Sequence, residues 1–246
     1  MIDPIALIEL TNLKASGQLG ALAQHPQLGM KPEWMGELAK DKRIVVRYHL
    51  AQNPALSSGT EAARHLSKDR SKNVRRYLAL NPALARLSEA VEKLSTDKDW
   101  FVRYSLATNP AIAKFPEIIK KLASDKDPDV RRSLATNPVI ASCPEIIKAL
   151  ASDENHHVRY SLATNPAIAK FPEIIKKLAS DKDPDVRQAL AYNPAITEFP
   201  EIVAKLASDE SSWVRQSLAQ NPAIPSSTAS TNSWQATQTV TPTPTL

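Results

Sequence analysis

The chain has 246 residues, of which 42% are hydrophobic and 5% aromatic, with a formal net charge of +5 and a pI near 9.2. Its single cysteine, Cys143, excludes an intrachain disulfide and a cysteine-ligated zinc or iron–sulfur site. No apolar run approaches the ~20 residues that a membrane span needs, and the N-terminal residues lack the basic segment of a signal peptide. We therefore expect a cytoplasmic protein without membrane contact, whose mild positive charge permits an acidic partner without requiring one.

The dominant feature of the sequence is a 28-residue repeat. An Asn-Pro pair recurs at residues 53, 81, 109, 137, 165, 193 and 221, and His25-Pro26 lies one period earlier. Strict self-similarity at such a period is typical of arrays in which each copy buries its apolar face against the next. The predicted fold is an all-α superhelix, or solenoid, of seven 28-residue two-helix repeats over residues 25–224.

Both ends of the chain depart from this repeat. Residues 1–24 lack its Asp and Arg, as suits a terminal copy with one neighbour, and Asp3-Pro4 can begin a short helix. We expect capping helices there. Residues 225–246 are rich in Ser, Thr and Pro and carry no charge. Such a composition cannot offset the entropy of ordering, so a disordered tail is predicted.

Each copy is predicted to form two short helices, here called helix A and helix B. In the copy that begins at Asn109, helix A is expected over about Pro116–Ser124, with proline in its first turn. Apolar residues at helical spacing form a stripe along it: Ile118, Ile119, Leu122 and Ala123. This stripe should face the core, because helices of this length are marginal alone in water.

Helix B of the same copy should begin at Pro128, with Asp127 as its N-cap. Its buried face is predicted to carry Val130, Leu134 and Ala135. The helix should end at Asn137, because proline follows and asparagine tolerates the left-handed conformation of a helix C-cap.

Two charged columns are filled in every copy. The acidic column is Asp41, Asp69, Asp97, Asp125, Asp153, Asp181 and Asp209, and the basic column is Arg47, Arg75, Arg103, Arg131, Arg159, Arg187 and Arg215. Arginines along a groove could bind phosphates. An Asp and an Arg six residues apart beside a turn can instead pair within or between copies, and Arg can bind helix-end carbonyls. We favour this structural ladder. We expect no catalytic role, because every copy carries the same two residues and none differs from the others in these columns.

Aromatic residues and histidines mark a few variable turn positions. His156 and His157 are adjacent and do not share a helix face, so we expect exposed turn residues rather than a metal site. Trp100, Phe101 and Trp213 occupy the same turn positions, where they could contact a partner or pack on the neighbouring turn. Cys143 aligns with phenylalanine in other copies and is expected in the core.

The candidate binding surface is a variable face of helix B. One column contains Tyr48, Arg76, Tyr104, Arg132, Tyr160, Gln188 and Gln216. The column four residues further on contains Gln52, Leu80, Thr108, Thr136, Thr164, Tyr192 and Gln220. Residues four apart share a helix face, and Tyr and Arg are enriched at binding hot spots. The alternative is a solvated face without specific contacts.

The runs DPDVRRSLATNP at 127–138 and PEIIKKLASD at 116–125, with their recurrence over 25–222, resemble the leucine-rich repeat variant family and, more loosely, HEAT-like repeats. The resemblance implies a right-handed superhelix of paired helices, one of which can be 3₁₀. HEAT-like relatives imply that the Asp and Arg columns form an inter-repeat ladder. One member type carries an N-terminal cysteine-ligated iron–sulfur cluster, which this chain lacks because no cysteine precedes Cys143.

These observations predict a non-enzymatic scaffold without cofactor or metal that binds a protein partner along the variable face, aided by Trp100 and Trp213. The alternative is a nucleic-acid-binding repeat protein, supported by the basic pI, the Lys120 and Lys121 type positions and the Tyr/Arg face. A third interpretation, an enzyme or enzyme accessory, would need a pocket lined by residues that break the repeat.

Overall fold

The computed structural model describes residues 18–26, 28, 31–58 and 60–224. Most of the predicted cap, residues 1–17, and the predicted tail, residues 225–246, lie outside the described residues. The described part is helical and contains no strand, which confirms the prediction of an all-α solenoid. Two compact units divide the chain, unit 1 at residues 1–139 and unit 2 at residues 140–246.

Unit 1 contains nine described α-helices. They are α1 (Leu19–Gln24), α2 (Pro32–Ala39), α3 (Ile44–Gln52), α4 (Thr60–Leu66), α5 (Lys72–Leu80), α6 (Ser88–Ser95), α7 (Trp100–Thr108), α8 (Pro116–Ala123) and α9 (Pro128–Thr136). The described helices of unit 2 are α10 (Pro144–Leu150), α11 (His156–Thr164), α12 (Pro172–Leu178), α13 (Pro184–Tyr192), α14 (Pro200–Ala207) and α15 (Ser212–Ala219).

A short 3₁₀ helix follows six of the described helices B, those from α3 to α13, and adds a third element to the two helices predicted for each copy. These segments span Pro54–Ser58, Pro82–Arg86, Pro110–Lys114, Pro138–Ser142, Pro166–Lys170 and Pro194–Glu198. Helices A and B are both α, so the 3₁₀ helix is a third element rather than one of the pair. It forms because Asn109 Oδ1 accepts a hydrogen bond from the Ala111 N–H at 2.9 Å while Pro110 presets the first φ.

Successive copies stack element on element within each unit. In unit 1 the helix-B series α1, α3, α5, α7 and α9 packs in order, each on the next, and the 3₁₀ helices do the same. In unit 2, α11 packs on α13 and α13 on α15. The predicted apolar stripe Ile118, Ile119, Leu122 and Ala123 is buried, as are Val130, Leu134 and Ala135. Ile112 of the 3₁₀ helix is also fully buried, so the third element contributes to the core.

The asparagine at the end of helix B is not in the left-handed conformation that the sequence suggested. Asn109 has φ −79° and ψ 119°, which is extended backbone, because the following proline disfavours helical angles. Its buried side chain instead joins copies, since Nδ2 donates to the Ala79 carbonyl at 2.8 Å and to the Asn81 carbonyl at 3.0 Å. The asparagine column is therefore a buried inter-repeat ladder, which the sequence reasoning missed.

Cys143 is a second correction, because its side chain is half-exposed rather than a core residue. The phenylalanines at the same repeat position, Phe115, Phe171 and Phe199, are also half-exposed. This position immediately precedes the first proline of helix A, at the edge of a copy, where neighbouring residues cover only part of the side chain.

Candidate functional site

The Asp and Arg columns form an inter-repeat ladder of buried ion pairs. Arg103 donates from Nε and Nη2 to the two carboxylate oxygens of Asp125 in the next copy, at 2.6 and 2.8 Å. Its Nη1 donates to the Asp97 carbonyl at 2.7 Å, which satisfies a backbone group at the turn of its own copy. The arginine thus joins two copies and holds one turn.

The same bidentate pair recurs through both units. The described pairs are Arg47–Asp69, Arg75–Asp97 and Arg103–Asp125 in unit 1, and Arg159–Asp181 and Arg187–Asp209 in unit 2. Arg131 donates to the Asp125 carbonyl at 2.7 Å, and Asp153 accepts from the Asn155 N–H at 2.9 Å. Arg131 and Asp153 therefore make the same contacts within the turns of their own copies as the other arginines and aspartates of the ladder do.

The electrostatics of the pairs support a structural use. The hydrogen bond with Asp125 raises the pKa of Arg103 above its ordinary value, against the cost of burial. Burial alone would raise the pKa of Asp181, yet the hydrogen bond from Arg159 and the Asp183 N–H hold it below its usual range. A guanidinium whose N–H groups already donate to a carboxylate and to a carbonyl has no free pair of N–H groups for a phosphate. The five paired arginines are therefore poor candidates for a phosphate groove.

In unit 1 the first column of the variable face of helix B is partly covered by aromatic rings, whereas Gln52, Leu80 and Thr108 of the second column are exposed. The Arg76 guanidinium lies 4.2 Å from the ring centre of Phe101, and Tyr48 packs edge-on against Tyr77 at 4.5 Å. Tyr104 contacts Phe101 at a centroid distance of 5.7 Å. We call these five residues the aromatic cluster of unit 1. They are half-buried, so much of their surface is already used within the unit.

Two further features belong to this side of unit 1. The Nε of Arg76 is buried and has no hydrogen-bond partner among the described residues. Arg132 forms an exposed ion pair with Asp129 at 3.2 Å on its own helix. The sequence placed Arg76 and Arg132 in one column. Only Arg76 joins the aromatic cluster, because the ring that it contacts, Phe101, belongs to the copy that follows Arg76.

In unit 2 the variable face is open. Tyr160 and Tyr192 are 41% and 55% exposed, and both line a groove of about 340 Å³. Gln188 lines the same groove, together with Thr164, Ala189, Asn193, Pro194, Ser217 and Pro222. Helices α11, α13 and α15 supply most of this surface, which we call the tyrosine groove. It brings together three residues that the sequence predicted as partner-binding.

The predicted turn residues lie at helix starts instead. Trp100 is the first residue of α7 and is 44% exposed, and Trp213 is the second residue of α15 and is 66% exposed. His156 and His157 open α11, because Asn155 accepts the His157 N–H and so acts as N-cap. The described residues hold no group of three or more His, Cys, Asp or Glu side chains arranged for a metal ion.

No protein-family model matches the chain, and a search of curated proteins also found no match. The resemblance to the leucine-rich repeat variant family therefore stays a prediction based on the repeat motif. Among the described helices, none is sufficiently long and apolar to cross a membrane.

Proposed function

We propose that the chain is a non-enzymatic scaffold that binds a protein partner along the variable face of helix B, with the tyrosine groove of unit 2 as its principal contact. The observation that carries this proposal is the exposure of Tyr160 and Tyr192 around one groove on packed helices. Tyrosine supplies a large contact area at a low cost in side-chain entropy, and it is enriched at interface hot spots.

The chemistry of the remaining columns supports the same conclusion. The recurring asparagines and all but the last of the recurring arginines are buried in contacts between copies, and the side chains of the aspartates paired with those arginines are nearly so, which leaves little of them for a partner. Polar groups in the groove, the Gln188 amide and the tyrosine hydroxyls, can orient a bound chain through hydrogen bonds. Stacked helices hold these groups in fixed register, which reduces the entropy lost on binding.

The family and the cellular setting belong to the same proposal. We infer a repeat array of the leucine-rich repeat variant or HEAT-like type, supported by the recurring PEIIKKLASD and DPDVRRSLATNP runs. A cytoplasmic setting is supported by the use of one cysteine, half-exposed and outside any disulfide. Fractionation of source cells should place the protein in the cytosolic fraction, and recovery in an oxidising compartment would contradict this inference.

Affinity capture from source lysate, with and without nuclease, tests the scaffold proposal. The wild-type chain is compared with a Tyr160→Ala/Tyr192→Ala variant and with a Lys120→Ala/Lys176→Ala control on the exposed side of helix A. We expect a protein that survives nuclease to be captured by wild type and control. The double tyrosine variant should recover it at least about tenfold less, because each lost hot spot costs about 2 kcal/mol or more.

Equal recovery by the double tyrosine variant would contradict the groove as the contact surface. Recovery that disappears with nuclease would contradict a direct protein partner.

A further inference from the structure

The positive charge of the chain is concentrated in one part of unit 1. Residues 40–76 hold ten Lys and Arg against three Asp and Glu, a net charge of +7. Unit 1 as a whole has 22 basic and 15 acidic residues, whereas unit 2 has 9 basic and 11 acidic, a net charge of −2. The mild overall charge thus conceals a strongly basic region.

The fold places many of these residues at the turns between helix A and helix B. One groove, of about 360 Å³, is lined by Lys40, Lys42, Arg47, His65, Arg70 and neighbouring residues. A second, of about 420 Å³, is lined by Lys68, Arg70, Arg75, Lys93, Lys98 and neighbouring residues. Arg70 lines both grooves, so they adjoin. We call this surface the basic turn edge.

The carboxylates within the basic turn edge do not neutralise it. Asp69 and Asp97 are buried and already paired with Arg47 and Arg75, at 2.5 and 2.6 Å. Asp41, which lines the first groove, is paired with Arg43 at 3.0 Å. The exposed cations Lys42, Lys68, Arg70 and Lys98 form no ion pair with any residue that the structure describes. Their charges are therefore available to an anionic partner.

An exposed aromatic residue follows one of these cations closely in the chain. Trp100 begins α7 two residues after Lys98, and 44% of it is exposed. Exposed cations at a turn, followed by an exposed flat ring at the start of the next helix, are the residue types that bind single-stranded nucleic acid, because the phosphates contact cations while a base stacks on an aromatic ring. An acidic peptide would use the cations alone, and a duplex does not present its base faces.

The equivalent edge of unit 2 lacks this combination. The column of Lys42, Arg70 and Lys98 continues there as Glu154, Lys182 and Glu210. The column of Lys40 and Lys68 continues as Ser152, Ser180 and Ser208. Because acidic residues alternate with a basic one in the first of these columns, the acidic positions would repel a polyanion. The charge complementarity is therefore confined to unit 1.

We propose that the basic turn edge of unit 1 is a docking surface for single-stranded nucleic acid, with phosphates on Lys42, Lys68, Arg70 and Lys98 and a base stacked on Trp100. This surface lies at the turns between helices, whereas the tyrosine groove lies on helix B of unit 2. Either of the two proposed binding surfaces can therefore be contradicted by experiment without the other.

Fluorescence anisotropy of the full chain with a labelled oligothymidylate of about 12 nucleotides tests the proposal, at salt concentrations between about 50 and 200 mM. The test variant is Lys42→Gln/Arg70→Gln/Lys98→Gln. The control, Lys114→Gln/Lys120→Gln/Lys170→Gln, removes the same charge from other exposed positions. Trp100→Ala tests stacking, and a matched duplex and a polyglutamate peptide are the competing ligands.

We expect wild type to bind the oligonucleotide, with an affinity that falls steeply as salt rises. The triple variant should bind at least about tenfold more weakly than wild type, and the control should bind within about twofold of wild type. Trp100→Ala should weaken binding by at least about fivefold. An equal loss in the control would overturn the proposed location. Binding of the duplex or of polyglutamate as tight as that of the single strand would overturn the proposed ligand, as would the absence of binding at low salt.

Discussion

Residues 102–131 of unit 1 and 158–187 of unit 2 have the same sequence over 30 positions, yet they present different surfaces. Their ladder contacts agree, since the distance from arginine Nε to aspartate Oδ2 is 2.6 Å for Arg103–Asp125 and 2.7 Å for Arg159–Asp181. Their tyrosines differ. Tyr104 is half-buried against aromatic rings, whereas the equivalent Tyr160 is exposed in the tyrosine groove.

The difference comes from residues just outside the identical stretch. Trp100 and Phe101 precede it in unit 1, and both rings contact Tyr104. His156 and His157 precede it in unit 2, and their rings contact each other at a centroid distance of 3.9 Å, tilted by 41°. The ladder thus depends on residues that every copy supplies, whereas the exposure of the variable face depends on a few residues at the start of helix B. We expect recurring positions to govern stability and variable ones to govern binding.

The strongest test of this comparison removes the same arginine from each unit. Arg103→Ala and Arg159→Ala should each lower the free energy of unfolding by about 3 kcal/mol, because truncation leaves Asp125 or Asp181 buried without its cation. Chemical denaturation followed by circular dichroism measures both, with Lys120→Ala as the exposed control. Costs that differ by more than about 1 kcal/mol between the two variants would break the equivalence of the ladder.

The buried asparagines provide a second matched pair. Asn109 and Asn193 each donate to two carbonyls of the preceding copies and accept one N–H. Alanine at either position should destabilise the chain by about 2 kcal/mol, because buried backbone groups lose their partners. Asn73→Ala, at an exposed position of α5, is the control, and the same denaturation experiment applies. A cost no larger than that of Asn73→Ala would show that the ladder contacts are not stabilising.

A smaller effect should separate the two tyrosines. Tyr104→Ala should cost about 1 kcal/mol of stability because it removes contacts with Trp100 and Phe101. Tyr160→Ala should cost less than about 0.5 kcal/mol, as expected for an exposed side chain. Thermal melting of the two variants side by side measures the difference. Equal losses would mean that the aromatic cluster of unit 1 does not distinguish the two surfaces.

The smallest predicted effect is the acid sensitivity of unit 2. The pKa values of Asp181 and Asp209 are depressed, because hydrogen bonds from Arg159 and Arg187 outweigh the effect of burial. Their stabilisation is complete above the unfolded value of about 3.9 and is lost as the pH falls through the lower folded values. Melting temperatures between about pH 5 and pH 2 should therefore fall. Asp209→Asn should melt lower at neutral pH but fall less steeply, and a parallel decline would exclude this carboxylate as a source of the sensitivity.

Sequence reasoning predicted the features that depend on nearby residues. The first residues of α8 and α9 and the N-cap role of Asp127 follow from proline and aspartate chemistry within one turn. The left-handed conformation suggested for the asparagine after helix B was wrong, and its bonds to other copies were missed because the carbonyl partners of Asn109 lie 28 and 30 residues earlier in the chain. The 3₁₀ helix was missed because five residues are too few for a periodic pattern.

The candidate site was only partly predictable for the same reason. The columns correctly identified Tyr160, Gln188 and Tyr192 as residues that could share a surface, because they follow from the repeat register. The columns could not separate the exposed Tyr160 from the half-buried Tyr104, since that difference depends on rings outside the shared sequence. The basic turn edge could have been found by counting charge within segments of the chain rather than over its whole length.

Amide hydrogen exchange of the chain, alone and with the protein partner recovered by affinity capture, tests most directly whether variable positions bind while recurring ones build the fold. We predict that the partner adds protection in α11 and α13, whose residues line the tyrosine groove. Protection should change little in α12, which is a helix A of the same unit. Protection confined to α12, with α11 and α13 unchanged, would contradict the assignment of binding to the variable face of helix B.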